Sequence, residues 1–267
     1  MRKAVKAALF AVIVVGLLRT SAAGRAPTGA ATPPELDTVL THLVDVAAQY
    51  RDEALQFTCQ ETIVYTSKRQ KVSQHFEYIY VYDPTEGLLD YRVDRKDEKA
   101  EIVHGGLERP YSWIFVFEAT KADRYRYEVT GLDRALDRDA VKVRFDPVPP
   151  YEIGVNDFEG IAWVDLDTWQ LLRVESERVK AVRKALDQEY TERFKTEFGI
   201  EMHGMRFPSS VGIRRANFGQ RGRPGTADYQ SSAIFRVSQI YSDYRFFGVR
   251  SEEDLETRTL SEEDRSR

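Results

Sequence analysis

The sequence has few residues from which covalent or metal chemistry could be built. Its single cysteine, Cys59, excludes an intramolecular disulfide, so stability must come from a hydrophobic core. The four histidines, His42, His75, His104 and His203, lie far apart, without the spacing of zinc ligands. Motifs of serine hydrolases, P-loops and dinucleotide-binding folds do not occur. These absences favour a binding protein without cofactor or metal over an enzyme.

Cys59 itself lies in a segment, residues 55–65, in which apolar and polar residues alternate as in a strand. This pattern predicts a buried, unreactive thiol, which is the usual state of a free cysteine. A reactive thiol is the alternative.

The N-terminus predicts export. Basic residues precede an uninterrupted apolar run, residues 7–18, and small residues at 21–23 follow it. The run is shorter than the about 20 residues that a transmembrane helix needs. We therefore predict a signal peptide, residues 1–23, cleaved near Ala23, and a periplasmic or secreted mature protein. A signal anchor retained in the membrane is the alternative.

The charge balance argues against a nucleic-acid partner. The chain has 39 basic and 43 acidic residues, a net charge of −4. Residues 1–23 hold four basic and no acidic residues, which leaves 35 basic against 43 acidic residues and a net charge of −8. An acidic surface with interspersed signs has no electrostatic footprint for nucleic acid.

A linker, residues 24–34, leads to one amphipathic helix. Residues 32–35, Thr-Pro-Pro-Glu, predict a capping box at its start. Beyond them, apolar residues recur at helical spacing on one face: Leu36, Val39, Leu40, Leu43, Ala47, Tyr50 and Ala54.

Most of the remaining chain alternates as β-strands do. Strands are predicted at residues 76–82, 88–94, 124–129, 141–146, 161–164, 171–176, 189–198, 206–217 and 233–244. Residues 109–118 are apolar throughout and fit a buried strand or a short helix begun by Pro110. Together these patterns predict a mainly β fold with an N-terminal helix and a largely antiparallel sheet. The domain should span residues 35–248, with a basic loop at 219–228 and a charged, disordered tail at 249–267.

Charged residues of the strands and turns offer no clear site. Glu175, Glu177, Glu189 and Glu192 are predicted to point outward and to pair with basic residues across strands. The segment from Asp165 to Thr168 resembles the opening of a calcium loop, but the glycine and closing glutamate of such a loop do not follow. A tight turn is therefore the favoured interpretation.

The hairpin at residues 158–177 is apolar on both faces. Ile161 and Trp163 lie on one side of its first strand, and Ala162 and Val164 on the other. Such a hairpin must be covered twice, by protein or by an apolar ligand.

The motif from Gly160 to Asp165, followed by Thr168 to Arg173, resembles the strand–turn–strand of the periplasmic lipoprotein-carrier superfamily (LolA/LolB-like). The layout of an exported chain with one helix and many strands resembles it too. The resemblance implies a strongly curved antiparallel sheet, a half-open β-barrel covered by one or a few helices, with an apolar cavity for acyl chains.

On this basis we expect a periplasmic protein that binds or carries a lipid or acyl-type ligand, with transient contact to a membrane surface. The candidate cavity residues are Tyr78, Tyr80, Trp113, Phe115, Tyr127 and Trp163. An envelope scaffold with a filled β core, an envelope-protein partner and no ligand is the alternative. A hydrolase without a known motif is a third hypothesis.

Overall fold

The computed structural model describes residues 32–54, 56–83, 87–94, 110–152, 157–188, 190–217 and 233–247. All of its helices and strands belong to the unit Pro33–Arg267. The predicted signal peptide, the loop at 219–228 and the tail at 249–267 lie outside the described residues.

The chain is mainly β, with a helix first. The helices are α1 (Leu36–Glu53) and α2 (Lys180–Ala185), and two 3₁₀ helices are η1 (Pro110–Phe117) and η2 (Ala119–Arg124). The strands are β1 (Phe57–Ser67), β2 (Lys71–Asp83), β3 (Gly87–Asp94), β4 (Tyr125–Ala135), β5 (Arg138–Pro147), β6 (Phe158–Asp165), β7 (Leu171–Arg178), β8 (Tyr190–Glu197), β9 (Ile200–Met202), β10 (Met205–Phe207), β11 (Ser210–Asn217) and β12 (Ala233–Phe246).

The predicted helix is confirmed as α1. Its apolar face is buried at Val39, Leu43, Ala47 and Tyr50, as the helical spacing requires. The predicted capping box is wrong, because Glu35 is the N-cap residue and makes no side-chain capping hydrogen bond. The helix is therefore stabilised by packing of its apolar face rather than by its first turn.

Ten strands form one antiparallel sheet in the order β3-β2-β1-β12-β11-β8-β7-β6-β5-β4. Among the described residues the sheet is not closed, and β3 and β4 are its two edges. A separate two-stranded ribbon consists of β9 and β10. The predicted fold class, a half-open antiparallel barrel with few helices, is confirmed.

The sheet must curve around its helices to form a single core. At about 4.8 Å per strand, a flat sheet of this size would be about 43 Å wide. Helix α1 nevertheless lies against η1 and β4, near one edge. Its Tyr50 ring also packs on Phe207, which contacts Tyr244, and Tyr244 contacts Phe57 of β1. One concave face therefore carries the main core.

The predicted strands all occur, with shifted ends. The strand predicted at 206–217 is two strands, β10 and β11, interrupted at Pro208. The ambiguous apolar segment at 109–118 is helical, because Pro110 begins η1. The two-sided hairpin is confirmed as β6 and β7.

Candidate functional site

Two groups of aromatic rings fill the concave face. The first, the α1 cluster, comprises Tyr50, Phe57, Tyr80, Phe207, Tyr244 and Phe246. Its ring centroids lie 5.3 Å apart for Tyr50 and Phe207, and 4.8 Å apart for Phe207 and Phe246. Strand period places Phe57, Tyr80, Tyr244 and Phe246 inward, and the Tyr50 ring of α1 joins them through Phe207 of β10.

The second group, the η1 cluster, lies towards the β4 edge. It comprises Trp113, Phe117, Tyr127, Phe145, Phe158 and Phe194. The Trp113 ring meets Phe158 at 5.5 Å and Phe194 at 6.5 Å. Gly160 makes this packing possible, because an added Cβ would lie 2.7 Å from the Phe145 ring and 2.3 Å from a backbone oxygen of Glu175.

Buried polar side-chain atoms of the two clusters differ in whether they have hydrogen-bond partners. In the α1 cluster, the Tyr50 hydroxyl donates to the Arg206 carbonyl at 3.0 Å and the Tyr244 hydroxyl to the Pro208 carbonyl at 2.6 Å. At the η1 cluster, the Trp113 Nε1 and the Ser176 hydroxyl are buried without a hydrogen-bond partner among the described residues. Ser176 lies directly opposite Phe194, so it faces the same rings.

A buried ion pair adjoins the α1 cluster. Arg92 of β3 donates to both carboxylate oxygens of Glu61, at 2.5 and 3.0 Å. Gln239 also donates to Glu61, at 3.0 Å, and the Arg92 guanidinium lies 4.8 Å from the Tyr78 ring centre. Burial, together with the charge of Asp90, raises the pKa of Tyr78 well above its usual value. The sequence contained a signal for this site, because Glu61 falls on the apolar face of β1.

A second inward carboxylate corrects one of our predictions. Glu192 was expected to point outward, but it is buried beside Phe194 on the concave face and pairs with Arg215. The Arg215 guanidinium lies between the rings of Tyr190, at 4.0 Å, and Phe235, at 4.6 Å. The strand period, which puts residues 192 and 194 on one face, outweighs the preference of charge for solvent because Arg215 neutralises it. Glu177 pairs with Arg193 as predicted.

The structure brings five of the six predicted cavity residues to the concave face. Tyr78 and Tyr80 lie at the α1 side, and Trp113, Phe115 and Tyr127 at the η1 side. Trp163 lies apart, in a small cluster with Ala135, Ala140 and Leu172. There its Nε1 donates to Asp133 at 3.1 Å, and the Arg173 guanidinium lies 5.4 Å from its ring centre. The second apolar face of the hairpin is therefore covered by protein at Trp163, whereas Ile161 is half-buried and lines a cleft on the outer face.

The predicted turn between β6 and β7 is confirmed. Asp165 Oδ1 accepts hydrogen bonds from the amides of Asp167, at 2.9 Å, and Thr168, at 3.4 Å. Arg138 pairs with the same carboxylate. The turn also holds α1, since Trp169 stacks on His42 with ring centroids 4.4 Å apart.

Other chemistry has little support in the described part of the chain. Cys59 is buried, and burial raises the pKa of its thiol, with the Glu61 charge acting in the same direction. Among the described residues, no group of three or more His, Cys, Asp or Glu side chains could hold a metal ion. No described helix is long and apolar enough to cross a membrane.

No protein-family model and no curated protein matches the chain. Among solved structures, it is similar to a DUF1329 family protein from Desulfovibrio piger, with 13% identity and a TM-score of 0.42 over 80% of this chain and 95% of that one. A putative outer membrane lipoprotein-sorting protein domain from Vibrio parahaemolyticus gives 11% identity and a TM-score of 0.40 over 81% and 97%. A LolA superfamily protein from Nitrosomonas europaea gives 11% and 0.38 over 78% and 93%. These matches include the superfamily that the hairpin resembles, and at such TM-scores they assign neither ligand nor partner.

Proposed function

We propose that the protein is an exported binding or carrier protein, not an enzyme, and that it holds the acyl chain of a lipid-type ligand at the η1 cluster. The observation that carries this proposal is that a large aromatic surface, the η1 cluster, is covered by a short 3₁₀ helix, η1. Helix η1 has eight residues, whereas α1 has 18. A 3₁₀ helix has poorer hydrogen-bond geometry than an α-helix and is uncommon at this length.

Few polar contacts hold η1 in place. The Tyr127 hydroxyl donates to the Val116 carbonyl at 2.7 Å, and Arg51 of α1 pairs with Glu118 just beyond the helix. The other contacts of its described side chains are those of the buried apolar residues, Trp113 to Phe117, and η1 also packs against α1. An acyl chain would replace such contacts with contacts of the same kind, so exchange costs little.

The polar atoms under η1 fit the head of such a ligand. Trp113 Nε1 is a donor, and the Ser176 hydroxyl both donates and accepts. An ester or carboxyl group would satisfy both. Arg178 lies 4.8 Å from the centre of the Phe158 ring and pairs with the buried Asp157. Its Nε has no hydrogen-bond partner among the described residues and offers a further donor to the head group.

Binding of cis-parinaric acid, a fluorescent fatty acid, to delipidated protein tests the proposal. We expect saturable binding, followed by the fluorescence of the bound fatty acid. Trp113→Phe should weaken binding, because the variant lacks the Nε1 donor proposed for the head group. Trp163→Phe is the matched control, since that ring lies in the separate cluster with Ala135, and it should leave the affinity nearly unchanged. A protein that binds no fatty acid and carries no extractable lipid by native mass spectrometry would contradict the proposal.

A second function, an envelope scaffold with a filled core, is favoured by one observation: side chains pack the concave face in this structure. It predicts that Trp113→Phe and Trp163→Phe behave alike and that neither form binds fatty acid. A partner protein would then co-purify from the envelope with the unmodified chain and with both variants.

A further inference from the structure

The outer face of the sheet carries charges in two blocks along one row. Arg236 of β12, Arg214 of β11 and Arg193 of β8 are directly opposite one another in adjacent strands. Glu177 of β7 and Glu159 of β6 continue the row. Asp146 of β5 is the sixth residue, because the β5–β6 register ends at the neighbouring pair, Phe145 and Gly160. Beyond it, Arg126 of β4 lies directly opposite Asp146.

These six residues line a cleft of about 740 Å³. Within it, Arg193 Nε and Glu177 Oε2 lie 3.0 Å apart, at the junction of the two blocks. Arg214 and Arg236 form no ion pair with any described residue and are exposed. Neither Glu159 nor Asp146 forms one with a described side chain.

Within one chain, only the opposite-sign neighbours at the two ends of the acidic block, Arg193 beside Glu177 and Arg126 beside Asp146, favour this order. Like charges directly opposite in neighbouring strands are destabilising, and alternating signs would avoid the cost. The strain is visible on the acidic side, where burial, Glu177 and Asp146 all raise the pKa of Glu159, opposed by Arg183. The row therefore fits a counterpart outside the chain.

The order of the charges identifies that counterpart. At about 4.8 Å per strand the row is about 24 Å long, which exceeds the reach of one phosphate or one lipid head group. Three arginines lie on one side of the β7–β8 junction and three carboxylates on the other, with Arg126 beyond the carboxylates. A two-fold axis parallel to the strands, passing between β7 and β8, maps each basic position onto an acidic one.

We propose that two copies of this chain associate through their outer faces, with the arginine block of each copy on the acidic block of the other. Arg193 then faces Glu177, Arg214 faces Glu159, and Arg236 faces Asp146 of the second copy. Arginine suits this contact because its planar fork binds carboxylates in a bidentate manner. The long side chains of each copy enter the cleft of the other.

Sedimentation velocity on the full mature chain, over a concentration series, tests the proposal. We expect a dimer at low salt that dissociates as salt is raised from about 0.05 M to about 0.5 M, since the contact is charged and exposed. Arg214→Glu and Glu159→Arg should each weaken dimerisation by about tenfold or more. Arg245→Glu, the same charge change on an exposed position of β12 outside the row, should leave it unchanged.

Mixing the two variants gives the decisive result. A copy with Arg214→Glu has acidic groups at both residue 159 and residue 214. A copy with Glu159→Arg has basic groups at both. The mixture should therefore form a heterodimer although each variant alone is monomeric. Neither substitution should impair folding, because each one breaks a run of like charges, and thermal unfolding of the separate variants checks this. A wild-type monomer at every concentration, variants that dimerise normally, or a mixture that stays monomeric would each overturn the proposal.

Discussion

The α1 cluster and the η1 cluster occupy the same concave face with the same residue types, yet they are stabilised differently. In the first, buried hydroxyls have backbone acceptors and a buried carboxylate has an arginine. In the second, a tryptophan Nε1 and a serine hydroxyl have no partner among the described residues, and the cover is a 3₁₀ helix. Fully satisfied polar groups rigidify a core, whereas unsatisfied ones cost free energy that a ligand can recover. The contrast shows that the buried hydroxyls of Tyr50 and Tyr244 are satisfied on the α1 side, whereas Trp113 Nε1 and the Ser176 hydroxyl are not satisfied by described residues on the η1 side.

The largest expected effect concerns the ion pair beside the α1 cluster. Glu61→Ala should lower the free energy of unfolding by about 3 kcal/mol, because the largely buried Arg92 would keep only its longer ion pair with Asp90, at 3.4 Å. Urea unfolding measures the change. Replacing both partners by apolar residues, Glu61→Leu with Arg92→Met, should recover much of the loss. A loss below about 1 kcal/mol for the single variant would show that the α1 side does not depend on this pair.

A second variant examines the sheet beneath η1. Gly160→Ala should cost about 1–3 kcal/mol, because the new Cβ would approach the Glu175 carbonyl, which belongs to the backbone and cannot move aside. Gly212→Ala is the matched control, since its Cβ would meet only ordinary van der Waals contact at 3.9 Å. Thermal unfolding compares the two. If the two variants were equally stable, the sheet beneath η1 would tolerate the added Cβ at residue 160. The η1 side would then be loosely packed in its strands as well as in η1.

The stability contributed by Asp165, in the turn between β6 and β7, should depend on pH. Burial alone would raise the pKa of Asp165, but the hydrogen bond from Arg138 and those from the turn amides outweigh it and hold the pKa below its usual value. The stability that Asp165 contributes is therefore present above the unfolded pKa of about 3.9 and is lost as pH falls through the folded pKa. At neutral pH, Asp165→Asn should have a lower free energy of unfolding than wild type. This difference in free energy should become smaller below about pH 4. Denaturant titrations at several pH values measure the difference. A constant difference would exclude this linkage.

The smallest effects compare single polar atoms. Tyr50→Phe should cost about 1 kcal/mol, because the Arg206 carbonyl loses its donor. Trp113→Phe loses some packing but also removes a buried donor without a described partner, so it should cost clearly less than a Trp→Ala truncation, about 3–5 kcal/mol. Urea unfolding of both variants, beside Trp113→Ala, provides the comparison. If Trp113→Phe costs as much as Trp113→Ala, the Nε1 has a role in the folded state that the η1 cluster does not account for.

Strand period accounts for part of how the candidate residues are arranged. It puts Tyr78 and Tyr80 on one face of β2, and both side chains are buried there. The same rule puts Glu192 inward, and the error arose from giving its charge more weight than its position. Trp163 was grouped with the cavity residues because sequence alone does not tell which face of a two-sided strand is concave. Its partner Asp133 is 30 residues away, on β4, and no local pattern links them.

By itself the sequence determined the helix α1, the strands, the turn at Asp165 and the need to cover the hairpin twice, because each depends on spacing within a few residues. The tertiary structure decided which face is concave, which half of it is covered by a slight 3₁₀ helix, and how the charges align on the outside. The row from Arg236 to Asp146 joins six strands from distant parts of the chain. Only the antiparallel register brings these residues opposite one another, so their charges form a continuous row on the folded surface although they are far apart in the sequence.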